Sequence, residues 1–283
     1  MTAAAAGITL LLAGSAHAVT YREATVDAAP NTAAYATVEC SDPSQTLPLS
    51  GGVEVTPGHN NSYLKGSDIS LAPGGGVDGW AGWTNAQAPV SVTVHVACTK
   101  ADVIYAFGDR QIQPSSVGTI KARCPRGTGT EVAGGGFNSS ITGFGTVEAL
   151  ASMPFDGRDA DHRPNDGWRV KLKNLTVSQA FTGGATATCV GGNLAKALRY
   201  FRTEITLISD GVQYGAYASC RGEQEIVGGG FEVGPIPEAV NVHSSYMVDG
   251  GMSGIDEDLW WNQFDSFSNE TQYASSYAVC RAG

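Results

Sequence analysis

The sequence predicts an all-β fold of three pseudo-symmetric antiparallel repeats, β-prism-like, with three tandem β-sandwiches as the alternative arrangement. Three observations predict it. Six cysteines fall into three evenly spaced pairs along 283 residues. Short segments alternate apolar and polar residues with period two, the mark of half-buried strands. The 37 glycines and a charged fraction of only 16 % suit many tight turns, and long helical heptads are absent.

In chain order, residues 1–18 come first and differ in kind. Thr2 to Gly14 is an Ala/Leu-rich run, and Ala16-His17-Ala18 fits a small-x-small cleavage site, so 1–18 reads as a secretory signal peptide. No Lys or Arg precedes the apolar run, which is unusual for such a segment. The run is too short to span a bilayer. Three units then tile the chain: residues 19–109, 110–201 and 202–283, each opening at or near an arginine, Arg22, Arg110 or Arg202.

The cysteines are Cys40, Cys98, Cys124, Cys189, Cys220 and Cys280, with spacings of 58, 65 and 60 residues inside the pairs and 26 and 31 between them. An even count behind an export signal implies disulfides. Six cysteines allow fifteen pairings. The repeat selects one, because a duplicated unit most simply closes on itself: Cys40–Cys98, Cys124–Cys189 and Cys220–Cys280. Each bridge closes a long loop, worth roughly 4 kcal/mol in the chain-entropy view. Ala or Val stands two positions before every Cys. Each Cys is therefore expected on the inward face at a strand end, bridging to a neighbouring antiparallel strand.

Individual strands are legible. Val90 to Cys98 places its valines on one face and Ser91, Thr93 and His95 on the other. Ile120 to Cys124 turns Lys121 and Arg123 outward, and Trp168 to Lys173 alternates likewise. Glycine clusters recur at Gly51-Gly52, Gly134 to Gly136 and Gly228 to Gly230. They mark either turns or close approach of the units near a shared axis. Val103 to Phe107 and Leu198 to Phe201 follow the last Cys of the first two units, and nothing comparable follows Cys280. Val19-Thr20-Tyr21 is expected to supply that strand to the last unit and close a ring.

The order Cys, Gly-Gly-Gly-Phe, Ser-x-Pro, Gly-Trp, Ala-x-Cys is carried by Cys124, Gly134 to Phe137, Ser152, Pro154, Gly167, Trp168 and Cys189. It resembles a repeat of secreted bacterial proteins of unknown role. The first unit lacks the Phe, and the third lacks the Pro and the Gly before its Trp. The three cysteine-bearing repeats and Gly79-Trp80-Ala81-Gly82-Trp83 also resemble the vitelline membrane outer layer proteins, which have a β-prism fold. That resemblance implies a carbohydrate-related or structural extracellular role.

The formal net charge is −10. Such a chain is repelled by phosphate backbones and has no Lys/Arg run for an anionic membrane, so neither nucleic acid nor membrane insertion is expected. No nucleophile elbow, zinc-protease helix, phosphate loop or dinucleotide fingerprint occurs. With all cysteines assigned to disulfides, no catalytic residue, cofactor or metal is expected. The loop 156–166 offers Asp159, Asp161 and Asp166 as calcium ligands, but its spacing is not that of an EF-hand, and Arg158 and Arg163 oppose a cation. A solvated acidic turn is the plainer reading. The ligand-binding candidates are Trp80, Trp83, Trp260 and Trp261, in stretches rich in Gly, Asp and Asn. A sugar ring stacks on an exposed indole while polar neighbours bind its hydroxyls. Trp168, in a clean alternating strand, is expected in the core, and Trp260 and Trp261 must face opposite ways. The expected partner is a glycan or cell-surface polysaccharide. A structural, protective protein without a small ligand is the alternative.

Overall fold

A computed structural model describes residues 19–40, 46–57, 62–72, 75–141, 146–157, 161–207, 211–234, 240–248, 258–267 and 270–282. The signal-like segment 1–18 lies outside them. The first unit forms β1 (Thr20–Ala28), β2 (Thr32–Glu39), β3 (Leu47–Thr56), β4 (Ser62–Leu71), β5 (Val77–Ala86) and β6 (Val90–Thr99). The second forms β7 (Val103–Ile112), β8 (Val117–Arg123), β9 (Glu131–Ser139), β10 (Val147–Phe155), β11 (Gly167–Asn174) and β12 (Phe181–Val190). After a short helix α1 (Gly192–Ala197), the third forms β13 (Leu198–Leu207), β14 (Val212–Ser219), β15 (Glu225–Gly234), β16 (Val240–Val248), β17 (Leu259–Ser266) and β18 (Gln272–Arg281).

The expected all-β, three-repeat fold is present, and its sheets are shared between repeats. Within each repeat the first, sixth and third strands pair in that order, and so do the second, fifth and fourth. Each three-stranded half then joins a half from another repeat. The resulting antiparallel sheets run β1-β6-β3-β16-β17-β14, β2-β5-β4-β9-β12-β7 and β13-β18-β15-β10-β11-β8. They are called A, B and C below. The joints are β3–β16, β4–β9 and β10–β15. Every repeat thus lends half of its strands to each of two sheets, and the three joints close a ring.

Closure differs from the expectation. Thr20 to Ala28 pairs with β6 of its own repeat, from Thr20↔Cys98 to Ala28↔Val90. Val103 to Phe107 and Leu198 to Phe201 likewise begin β7 and β13, the first strands of the next units. The arginine-based boundaries at 109/110 and 201/202 fall inside these two strands. The ring closes instead through third and fourth strands.

The three disulfides are those expected from the repeat. Their setting differs, because they do not bridge neighbouring strands. Cys40 follows β2 in sheet B and bonds Cys98 in sheet A; Cys124 links C to B, and Cys220 links A to C. Each bridge crosses the interior of one repeat and pins its two halves together. No cysteine is free among the described residues. Three such bonds are typical of proteins that mature in an oxidising, extracytoplasmic setting.

Two features lock the ring. A bulge interrupts each third strand, at Leu49, Ala133 and Val227, and all three side chains are fully buried in one cluster. Just before each bulge, a carbonyl accepts a bond from a tyrosine on another repeat's first strand. Tyr21 donates to Ile226 at 2.6 Å, Tyr105 to Pro48 at 3.0 Å and Tyr200 to Val132 at 2.8 Å. Repeat one clasps three, two clasps one, and three clasps two.

The glycine clusters mark close approach. A Cβ at Gly52, Gly136 or Gly230 would overlap backbone of Ser245, Ser67 or Ser152 on the strand across the joint. A Cβ at Gly51, Gly135 or Gly229 would overlap the indole of Trp80, Trp168 or Trp260. These tryptophans cross from one half of a repeat to rest on the other.

Candidate functional site

The fifth strands decide which tryptophans reach solvent. Trp80, Trp168 and Trp260 occupy equivalent positions and are 0 %, 0 % and 2 % exposed. Each indole N–H donates to a buried serine hydroxyl on the fourth strand: Ser67 at 2.9 Å, Ser152 at 2.8 Å and Ser245 at 2.9 Å. With its one donor satisfied, the ring is a stable interior group. Trp168 is in the core as expected. Trp80 and Trp260 are not ligand-binding residues, because they belong to this same core position. In the first unit the counterpart of Ser152 is Ser67.

The other two candidates face outward. Trp83 lies over Gly66 and opposite Tyr35 on β2, with ring centroids 6.3 Å apart. Trp261 lies over Gly215 and opposite Tyr217 on β14, with centroids 5.9 Å apart and planes within 2° of parallel. Tyr35 and Tyr217 are 62 % and 50 % exposed, so each pair offers ring surface to solvent. Trp260 and Trp261 face opposite ways, as successive strand residues must.

On sheet A the pair belongs to a longer strip. Trp261 is opposite Tyr217 on one side and Tyr246 on the other. Across the joint, Tyr246 stacks on His95 with centroids 5.2 Å apart and planes at 19°. Gly52, facing His95 in the ladder, leaves the gap in which these two rings meet. Tyr217, Trp261, Tyr246 and His95 thus form a row of four rings spanning five of the sheet's six strands. Two carboxylates flank its end. Glu23 Oε2 lies 3.6 Å from His95 Nδ1, and Glu54 Oε2 lies 3.5 Å from His95 Nε2. The neighbouring His95 is the chief influence holding the Glu54 carboxyl below its ordinary pKa, against the opposing effect of burial. Burial pushes the Tyr246 phenol up, and the nearby Glu54 charge adds to this. Near neutral pH the strip therefore ends in an ionised carboxylate and a protonated phenol.

The joint of sheet B carries other groups at the equivalent place. Asn138 donates to Asp68 at 2.5 Å, and burial raises the Asp68 pKa. On sheet C, Glu232 accepts from Arg169 and Lys171, each at 3.0 Å, and from Tyr277 at 3.2 Å.

A polar concavity of about 430 Å3 lies at the end of repeat two, with Arg126, Glu131, Asn165 and Asp166 in its wall. Arg163 braces the neighbourhood by a two-pronged bond to Glu131 at 2.9 and 3.0 Å and lies over the Tyr200 ring. Of the calcium candidates, Asp159 lies outside the described residues. Asp161 accepts from the Arg163 amide and the Asn165 side chain, and Asp166 accepts from the Gly157 amide. Among the described residues no group of three or more His, Cys, Asp or Glu side chains is placed to hold a metal ion. Asp166 has a structural place. Its carbonyl accepts from Cys124 N, as Asp78 accepts from Cys40 and Asp258 from Cys220. An Asp two residues before each core Trp is the sequence signal for this role.

Neither a protein-family model nor a curated protein matches the chain.

Proposed function

We propose that the chain is a secreted, non-enzymatic binding protein that holds carbohydrate, in free form or on a cell surface, against its outward aromatic rows. The observation that carries this reading is the row Tyr217–Trp261–Tyr246–His95, with Glu54 and Glu23 at its end. Aromatic faces take the apolar C–H side of a sugar, and ionised carboxylates accept its hydroxyls. Strands repeat every 4.7–4.9 Å, so four rings make an extended track suited to a chain rather than a single sugar. The Tyr35–Trp83 pair on sheet B is a second, shorter platform. Two platforms on one rigid body raise avidity for a multivalent surface even when each is weak.

The test is a glycan array and polysaccharide pull-down with residues 19–283 produced with disulfides formed. Trp261→Ala is expected to lower binding at least tenfold, and Trp83→Ala to weaken only multivalent binding. Both are expected to keep a melting temperature within a few degrees of the parent. A parent protein that binds no glycan overturns the reading. A protective extracellular protein without a small ligand is the second reading, favoured by disulfides that tie every pair of sheets. Its signature is assembly into large particles in light scattering.

A further inference from the structure

The threefold framework serves as an internal control for what each outer face needs. At one set of equivalent positions on the second and fifth strands, sheet A carries Tyr217 and Trp261 and sheet B carries Thr37 and Ala81. Sheet C carries Lys121 and Arg169 there. One step along the strands, sheet A has Gly215 and Gln263, sheet B has Tyr35 and Trp83, and sheet C has Thr119 and Lys171. Lys173 continues the series on β11, and Arg123 ends β8. The fold therefore does not require cations at these places.

Five of them nevertheless share one face of two adjacent strands, in a chain whose net charge is −10. Lys121 and Arg169 stand directly opposite each other, a like-charged pair that costs stability. Two carboxylates reach these cations from the same sheet: Glu232 on β15, bonded to Arg169 and Lys171, and Glu148 on β10, opposite Lys173. Lys121 and Arg123 are exposed and lie over the Phe155 ring, at 4.8 and 5.1 Å from its centroid. The ring holds both cations in place without neutralising them.

We propose that the outer face of β8 and β11 is a binding site for an anionic polysaccharide, a chain bearing carboxylate or sulfate groups. Alternate residues on a strand lie some 6–7 Å apart, so the cations form a grid that meets spaced negative charges in register. A nucleic acid fits less well. Phe155 is 3 % exposed and covered by its cations, leaving no ring for base stacking, and a flat sheet face presents no element that enters a duplex groove. The charge density of a duplex also meets the repulsion of the rest of the chain. This site does not rest on the aromatic rows being glycan sites, because it lies on a different sheet.

The test measures binding of the oxidised protein to polygalacturonate and to heparin at several salt concentrations, with dextran and duplex DNA as comparisons. The expected result is binding to one or both polyanions, weakening at least tenfold between 50 and 200 mM salt (roughly the response when several charge contacts release counterions). Lys121→Ser with Arg123→Ser is expected to lower that affinity at least tenfold, whereas Lys100→Ser, an exposed lysine elsewhere, leaves it unchanged. If the double variant unfolds, Lys121→Gln alone is read instead, with a threefold loss expected. Absence of polyanion binding at 50 mM salt, binding unaffected by salt or by these substitutions, or tighter binding of duplex DNA than of either polysaccharide overturns the proposal.

Discussion

Each core tryptophan depends on one serine. Removing the Ser152 hydroxyl leaves the Trp168 Nε1–H buried without an acceptor, and an orphaned buried donor costs about 1–3 kcal/mol. Ser152→Ala is therefore expected to lower unfolding free energy by about 2 kcal/mol, measured by chemical denaturation, while Ser70→Ala, away from this position, changes it little. A second buried group reports through pH. Bulges in the fourth strands fall at Lys65, Leu150 and His243, all fully buried or nearly so. Lys65 Nζ donates to the Val147 carbonyl, and burial lowers its pKa to about 8, with Glu148 opposing the shift. Since the unfolded lysine titrates near 10.4, the folded form binds fewer protons between these values, and its share of stability grows as pH rises through that window. Lys65→Met is expected to flatten this rise, so the parent and variant melting curves converge or cross between about pH 8 and 10. A parallel rise in both proteins would show that Lys65 is not its source. The sequence showed which residues alternate, but not Trp80 from Trp83 as the buried one. Of the four residues Gly79 to Gly82, the three besides Trp80 have little or no side chain, so the period-two signal has too few apolar marks to fix a face.

At the scale of strands, hydrophobic alternation revealed β6, β8 and β11, and the repeat revealed the disulfides. It did not reveal partners. Alternation says which side of a strand is buried and nothing about which repeat lies beside it, and the third strands, being rich in glycine, carry a weak signal of their own. The bulges compound this, since one extra residue shifts every later position along the strand. The tyrosine clasps were present in the sequence at Tyr21, Tyr105 and Tyr200, at the same place in each first strand. Only the closed ring gives them a role. Tyr105→Phe removes the hydroxyl that Pro48 accepts and is expected to cost about 1–2 kcal/mol. Hydrogen exchange should then rise first in β3 and β7, the two strands the clasp connects.

For the whole molecule, sharing of sheets makes the repeat a poor folding unit. Residues 19–102 alone would keep their disulfide, yet β3 and β4 would present unpaired inner edges and the axis cluster around Leu49 would open to water. That fragment is expected to aggregate or to give the broad amide spectrum of a collapsed chain. Residues 19–282, by contrast, should unfold in one cooperative transition by calorimetry. Three separable transitions would contradict the interlocked arrangement.

The clasps and joints also bear on descent. None of them needs the peptide links between units: each third strand meets a fourth strand of another unit, and the rule is the same all the way round. Three separate copies of a single unit could close the same ring as a homotrimer, with three identical outer faces. Fusion into one polypeptide removes that identity. It lets one face keep a row of rings, another a short aromatic pair and the third a grid of cations, on a scaffold whose interior still obeys the old symmetry.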